Sequence, residues 1–131
     1  MKQIPTFKIR CSKIIDIMGF PKKGELTVGA KTYCKDWLQA HLYAREKPVT
    51  SKQMAKGIAM ENEAIDFAQS LLDPDGLWFK NDEFFDNDYF CGTPDLITDS
   101  HVYDIKCSWD FSTFPLFEDE ADKRYWWQLQ G

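Results

Sequence analysis

Asp95, Asp104 and Lys106 lie on two short runs, residues 93–98 and 101–106, that flank the turn pair Asp99-Ser100. A two-residue hairpin loop pairs Thr98 with His101, so paired positions sum to 199 and Asp95 falls directly opposite Asp104. A four-residue loop keeps that register, whereas an odd loop would shift it. Directly opposed side chains stand about 5 Å apart on one face. Two carboxylates at that distance repel by about 3 kcal/mol at an effective dielectric near ~20. A divalent cation removes the conflict and takes both groups as ligands. Alternation puts Lys106 on the face of Asp104, with Tyr103 and Ile105 turned away. Two acids and a lysine on one patch suit metal-assisted phosphodiester hydrolysis. Carboxylates hold Mg²⁺ or Mn²⁺, the metal polarises the phosphate and lowers the pKa of bound water, and the lysine orients or deprotonates that water. The same residues would equally make a solvent-exposed strand edge whose charges block aggregation.

Two further polar residues interrupt apolar surfaces. Met54, Ile58, Ile65, Ala68 and Leu72 form one stripe of a helical pattern, and Glu61 completes its spacing. A carboxylate inside such a stripe is costly unless it has a partner, although at the stripe's edge it could reach water. Glu63 and Asp66 fall nearer the polar flank. Towards the end of the chain Ala121, Tyr125, Gln128 and Leu129 share a helical face, so an amide interrupts an aromatic surface. Gln128 could hydrogen-bond a phosphate or a catalytic water, or serve as a capping or core amide.

The elements that must position these groups are legible in outline. Residues 1–31 are basic and broken by Pro5, Gly19, Pro21, Gly24 and Gly29, which predicts loop with short elements. From Thr32 the positions Tyr33, Cys34, Trp37, Leu38, His41 and Leu42 recur at helical spacing, and Pro48 ends that helix. A second helix starts after Thr50 or Ser51, either of which can cap it, and runs to about Leu72. Asp73-Pro74-Asp75-Gly76 is a turn. Leu77-Trp78-Phe79, Phe84-Phe85, Tyr89-Phe90-Cys91, Leu96-Ile97 and Val102-Tyr103 then read as strands of an antiparallel meander. An acidic start at Glu118-Asp119-Glu120 leads into a last helix over residues 121–129. The order predicts an α+β domain with a small, mixed, largely antiparallel sheet flanked by helices.

Bulk properties bound the function. The 131 residues suit one domain, spanning 1–131, and 44% hydrophobic with 15% aromatic content places the chain in the globular class. No apolar run is long enough to span a bilayer, and the mixed N-terminus is no signal peptide, which predicts a cytoplasmic protein without a membrane partner. Cys11, Cys34, Cys91 and Cys107 show no CxxC spacing, which argues against a zinc knuckle and for reduced, mostly buried thiols. The net charge of −5 conceals a split: residues 1–60 carry 12 − 4 = +8, and residues 61–131 carry 4 − 17 = −13. A basic half beside a carboxylate-rich half is compatible with nucleic acid in a way that uniform acidity is not. Lys22, Lys23, Lys31 and Lys35 are candidate DNA contacts within a wider basic set of Lys2, Lys8, Arg10 and Lys13.

Taken together these residues resemble the PD-(D/E)xK nuclease superfamily. Pro94-Asp95 and Asp104-Ile105-Lys106 match its core motif, with Asp where Glu is frequent. Gly57-x-x-x-Glu61-x-x-Ala64 resembles the helical element of the phage lambda-type alkaline exonuclease, or YqaJ-like viral recombinase, branch. Tyr125-x-x-Gln128-x-Gln130-Gly131 resembles that branch's glutamine motif. The likeness covers about residues 32–131. It implies a three-layer α/β/α restriction-endonuclease-like core and dependence on Mg²⁺ or Mn²⁺. Glu61, Asp95, Asp104 and the Ile105 carbonyl would be metal ligands, Lys106 would serve the attacking water and Gln128 would support the site. The resemblance further implies exonucleolytic attack on double-stranded DNA with a free end, in phage or bacterial recombination and hence in a bacterial cytoplasm. A single-strand annealing protein and further copies of the chain are partners that such a setting allows. The branch's N-terminal Arg and Ser phosphate pocket has no aligned counterpart in residues 1–31, and family chains continue past the glutamine motif, so either a C-terminally shortened domain or a minimal relative is expected. A non-catalytic DNA- or protein-binding module retaining the fold, and a structure-specific endonuclease, are the alternatives.

Overall fold

The computed structural model describes residues 3–19, 24–45, 48, 51–117 and 119–131. In chain order the elements are β1 (Ile9–Arg10), a 3-10 turn (Cys11–Lys13), α1 (Ile14–Ile17), α2 (Val28–Tyr43), α3 (Lys52–Leu72), β2 (Phe85–Asp86), β3 (Phe90–Gly92), β4 (Leu96–Ile97), β5 (Val102–Tyr103), a second 3-10 turn (Phe111–Thr113) and α4 (Lys123–Gln130). The architecture is mixed α+β with small sheets, as the sequence predicts. The chain divides into two compact units. The first comprises residues 1–48, 86–92 and 121–131, and the second comprises residues 49–85 and 93–120.

In the first unit, α2 begins four residues before the expected Thr32. The Thr27 hydroxyl accepts from the Ala30 N–H at 3.0 Å and donates to the Asp16 carbonyl at 3.2 Å, fixing both the helix start and its approach to α1. Gly29 allows that approach, since a Cβ there would lie 2.7 Å from the Asp16 carbonyl oxygen. Pro48 does not end the helix. Ala44 adopts a left-handed conformation (φ 50°) and closes it at Tyr43, with the Ala44 N–H on the Ala40 carbonyl.

β3 is flanked by β1 and β2. β1 pairs with β3 in parallel, Ile9 opposite Phe90 and Arg10 opposite Cys91. The expected continuous antiparallel meander is therefore replaced by a mixed three-stranded sheet and a separate hairpin. The Asn87 carboxamide accepts from the Tyr89 and Phe90 N–H groups, both at 2.8 Å, and so shapes the turn into β3. α4 starts at Lys123 instead of 121, because Asp122 caps it by accepting from the Arg124 N–H at 2.8 Å.

The second unit carries a small core of Ile65, Trp78 and Leu96, with Ala68, Tyr103 and Ile105 packed against it. Ser51 caps α3 by accepting from the Met54 N–H at 3.1 Å. The helix ends as expected at the turn beginning with Asp73, where the Gly76 N–H meets the Asp73 carbonyl at 3.0 Å. Leu77-Trp78-Phe79 is not a strand. Gln69 occupies the backbone groups that a ladder would use: its carboxamide donates to the Gly76 carbonyl at 2.8 Å and accepts from the Trp78 N–H at 3.0 Å. Trp78 is thereby held against Tyr103, with ring centroids 4.8 Å apart, and its indole N–H reaches Asp73 at 3.0 Å. Among the described residues no helix is long and apolar enough to cross a membrane. All four cysteines are free thiols, three half-buried and Cys107 exposed, so they are less buried than the sequence predicts.

Candidate active site

The apolar stripe of α3 is buried only around its centre. Ile65 is fully enclosed and Ala68 packs on the core, whereas Met54, Ile58 and Leu72 are exposed. Glu61 lies one turn before Ile65, at the border of this contact, and its side chain keeps only 18% of its exposure. A carboxylate so far removed from water needs a cation or hydrogen-bond donors nearby.

Lys80 supplies one. The Gln69 clamp and the buried Trp78 fix the chain just before it. Just after it, the Asn81 N–H donates to the Asp95 carbonyl at 2.8 Å, and the Asn81 carboxamide donates to the Pro94 carbonyl at 2.9 Å. Lys80 is thus strung between α3 and the start of the hairpin, and its Nζ meets Glu61 Oε2 at 2.9 Å. That hydrogen bond, together with the charge of Glu61, holds the Lys80 ammonium above the ordinary lysine range, and Asp82 and Asp95 add smaller attractions.

The hairpin has the expected register. Leu96 pairs with Tyr103, Ile97 with Val102, and the Thr98 N–H meets the His101 carbonyl at 2.9 Å. Leu96, Tyr103 and Ile105 belong to the core side. Alternation therefore turns Asp95 and Asp104 towards the other side. Asp95 Oδ2 reaches across and accepts from the Ile105 N–H at 2.6 Å. Lys106 Nζ donates to Asp104 Oδ1 at 2.7 Å, which places this pair on one face, and the Asp104 side chain is only 10% exposed.

Beyond Lys106 the chain is tied back to α3. Lys56 Nζ donates to the Ser108 and Trp109 carbonyls at 2.9 and 2.6 Å and lies 5.8 Å from the centroid of the Trp109 ring. The second unit thus holds five of the predicted site residues, Glu61, Asp95, Asp104, Ile105 and Lys106, on a helix and a hairpin fastened by Gln69, Asn81 and Lys56.

The chain is similar in fold to a phage-related exonuclease. The crystal structure of that protein, from Haemophilus somnus 129PT, matches with a TM-score of 0.84 and 29% sequence identity over 97% of this chain. The match covers 62% of the exonuclease, so this chain spans less than two thirds of its neighbour's length. No protein-family model and no curated protein matches the sequence. The likeness supports a nuclease-fold relationship.

The donor set suits a hard divalent cation in kind: three carboxylates, two of them largely shielded from water, and the Ile105 carbonyl are all oxygen donors. Among the described residues no three His, Cys, Asp or Glu side chains form a ready-made cage. Glu61 turns to Lys80, Asp104 to Lys106 and Asp95 to a backbone N–H.

Gln128 is half-buried on α4 and belongs to the first unit. Gly131, the last residue of its motif, packs closely in that unit, since a Cβ there would lie 2.9 Å from Cys11 Sγ. Lys31 and Lys35 are exposed one turn apart on α2, and Lys22 and Lys23 lie outside the described residues. Sequence reasoning did not find Lys80 or Lys56. A usable signal was scarcity: residues 61–131 contain four bases against 17 acids, and Lys80 and Lys106, two of the four, each engage a candidate ligand.

Proposed function

We propose that the chain is a metal-dependent deoxyribonuclease domain, acting as an exonuclease on double-stranded DNA. The observation that carries this reading is the hairpin register. It brings Asp95 to the Ile105 amide, while alternation along the second strand sets Asp104 beside Lys106, with the helical Glu61 in the same compact unit. The exonuclease neighbour supports the same reading independently. Glu61, Asp95, Asp104 and the Ile105 carbonyl would hold Mg²⁺ or Mn²⁺. The bound cation would supply Lewis acidity at the scissile phosphate and a water acidic enough to attack it.

The residues of the chain do the remaining work. The Lys106 ammonium, held at Asp104, orients the attacking water and offsets the charge that builds on the phosphate oxygens. The Asp95 clasp on the Ile105 N–H fixes the Asp104–Ile105 peptide, next to the Ile105 carbonyl that would be a ligand. Lys31 and Lys35, with Lys22 and Lys23, contact the DNA backbone. Recombination in a phage or its bacterial host is the setting, where an annealing protein and further copies of the chain would be natural partners.

The test is digestion of end-labelled linear duplex against a covalently closed circle, with Mg²⁺ and with Mn²⁺. An exonuclease shortens the linear DNA and leaves the circle intact. Cutting of the circle would replace this reading with an endonuclease. Retention of DNA without cleavage by folded protein would replace it with a binding module.

A further inference from the structure

We infer that Lys80 is a built-in competitor for the divalent cation at Glu61, a positioning residue that sets how tightly the site binds metal. This rests on the proposed metal-dependent reading and deepens it. The ammonium lies 2.9 Å from Glu61 Oε2, on a carboxylate with 18% of its exposure left, so a cation that takes Glu61 as a ligand must displace Lys80 or share the carboxylate with it, at a cost in charge repulsion. Three acids attract Lys80: Glu61 most strongly, then Asp82 and Asp95. Two of those three are candidate ligands, so the lysine neutralises charge that a metal would otherwise use.

The placement is built rather than incidental. Trp78 is buried two residues earlier, and both the backbone and the side chain of Asn81 are bonded to the 94–95 segment. The backbone at Lys80 is therefore tethered on both sides and has little freedom to swing away. Such competition weakens metal binding, because a +1 charge within a hydrogen bond of the ligand both repels a cation and occupies a lone pair. A residue that only held the site together would have the opposite effect on removal.

Mn²⁺ binding to the full chain, followed by calorimetry and by electron paramagnetic resonance of free Mn²⁺, separates these roles without any activity measurement. Lys80→Met is expected to bind Mn²⁺ about 2- to 5-fold more tightly than the parent, the range expected when one partly exposed ion pair is removed. Lys80→Arg, which keeps the charge, is expected to bind like the parent. In a Glu61→Gln background Lys80→Met is expected to bring no gain. Unchanged or weaker binding by Lys80→Met, with the parent still binding Mn²⁺, overturns the inference and leaves the metal site standing. No binding by any variant overturns the metal reading itself and the inference with it. Should circular dichroism show Lys80→Met unfolded, Lys80→Gln keeps a donor for Glu61 without the charge and carries the same expectation.

Discussion

The Asp95 carboxylate accepts a 2.6 Å hydrogen bond from the Ile105 amide, so one side chain both clasps the hairpin and belongs to the proposed metal site. The two roles separate by substitution. An asparagine oxygen can still accept from that amide but carries no charge. Asp95→Asn should therefore keep the protein's melting temperature within a few degrees while abolishing DNA digestion. Asp95→Ala leaves the amide unpaired and should cost about 1–3 kcal/mol in urea unfolding.

Lys56 joins α3 to the segment after Lys106 through two carbonyls, at 2.9 and 2.6 Å. Hydrogen bonds from a charged donor contribute more than neutral ones, and their loss here would free residues 107–110. Lys56→Met should destabilise the chain by about 1–2 kcal/mol. Amide hydrogen exchange should quicken around Ser108 and Trp109 before it does in the Ile65–Leu96 core.

Gly57 stands one turn before Glu61, and nothing lies within 4 Å of where a Cβ would be added. Glycine inside a helix lowers stability by about 0.5–1 kcal/mol relative to alanine. Gly57→Ala should raise stability by that amount, read as an increase in melting temperature. Its methyl group would stand one turn before Glu61 of the proposed site, so digestion of linear duplex should slow.

Leu96 is 1% exposed and is the largest fully enclosed side chain of the second unit, pressed against Ile65 and Trp78. Leu96→Ala should cost about 2–5 kcal/mol, a large part of the stability a domain of this size has. Lost activity in that variant should return with added osmolyte, unlike that of Asp95→Asn.

Asp122 caps α4 and chelates Arg124 through Nε at 3.0 Å and a terminal nitrogen at 2.7 Å. The side-chain bond to Arg124 is the main cause, helped by the Arg124 backbone N–H, of a carboxyl pKa lowered to about 2. A depressed acid stabilises the fold above its ordinary pKa, and that contribution is lost as the pH falls through about 2. Nuclear magnetic resonance titration of the Asp122 carboxyl should give a midpoint near that value, and Arg124→Ala should move it upward.

What the sequence revealed and what it hid follow from the range of the interactions involved. The hairpin register was legible because loop parity alone decides it, and so were the Ser51 cap and the turn at Asp73, which are local. The ends of α2 were not. One depends on the Thr27 hydroxyl finding the carbonyl of Asp16, 11 residues away, and the other on a left-handed Ala44 that no composition rule marks. Residues 77–79 carry strand-forming side chains, yet Gln69 satisfies their backbone first. β1 escaped notice because its partner β3 is about 80 residues distant and parallel, beyond the reach of any hairpin pattern. In the candidate site the acids were visible by type and spacing. Lys80 was not, because its place at Glu61 depends on the fold of Trp78 and Asn81 around it.

Asp104, Lys106 and their neighbours are proposed to hydrolyse DNA with a divalent cation. The most direct test is nucleotide release from end-labelled linear duplex by the parent and by Lys106→Ala, in Mg²⁺ and in excess chelator. Release is expected from the parent in Mg²⁺ only, and none from a Lys106→Ala protein whose circular dichroism matches the parent's. Release that persists in chelator, or at an undiminished rate in Lys106→Ala, or a folded parent that releases nothing with Mg²⁺ or Mn²⁺, would contradict this proposal.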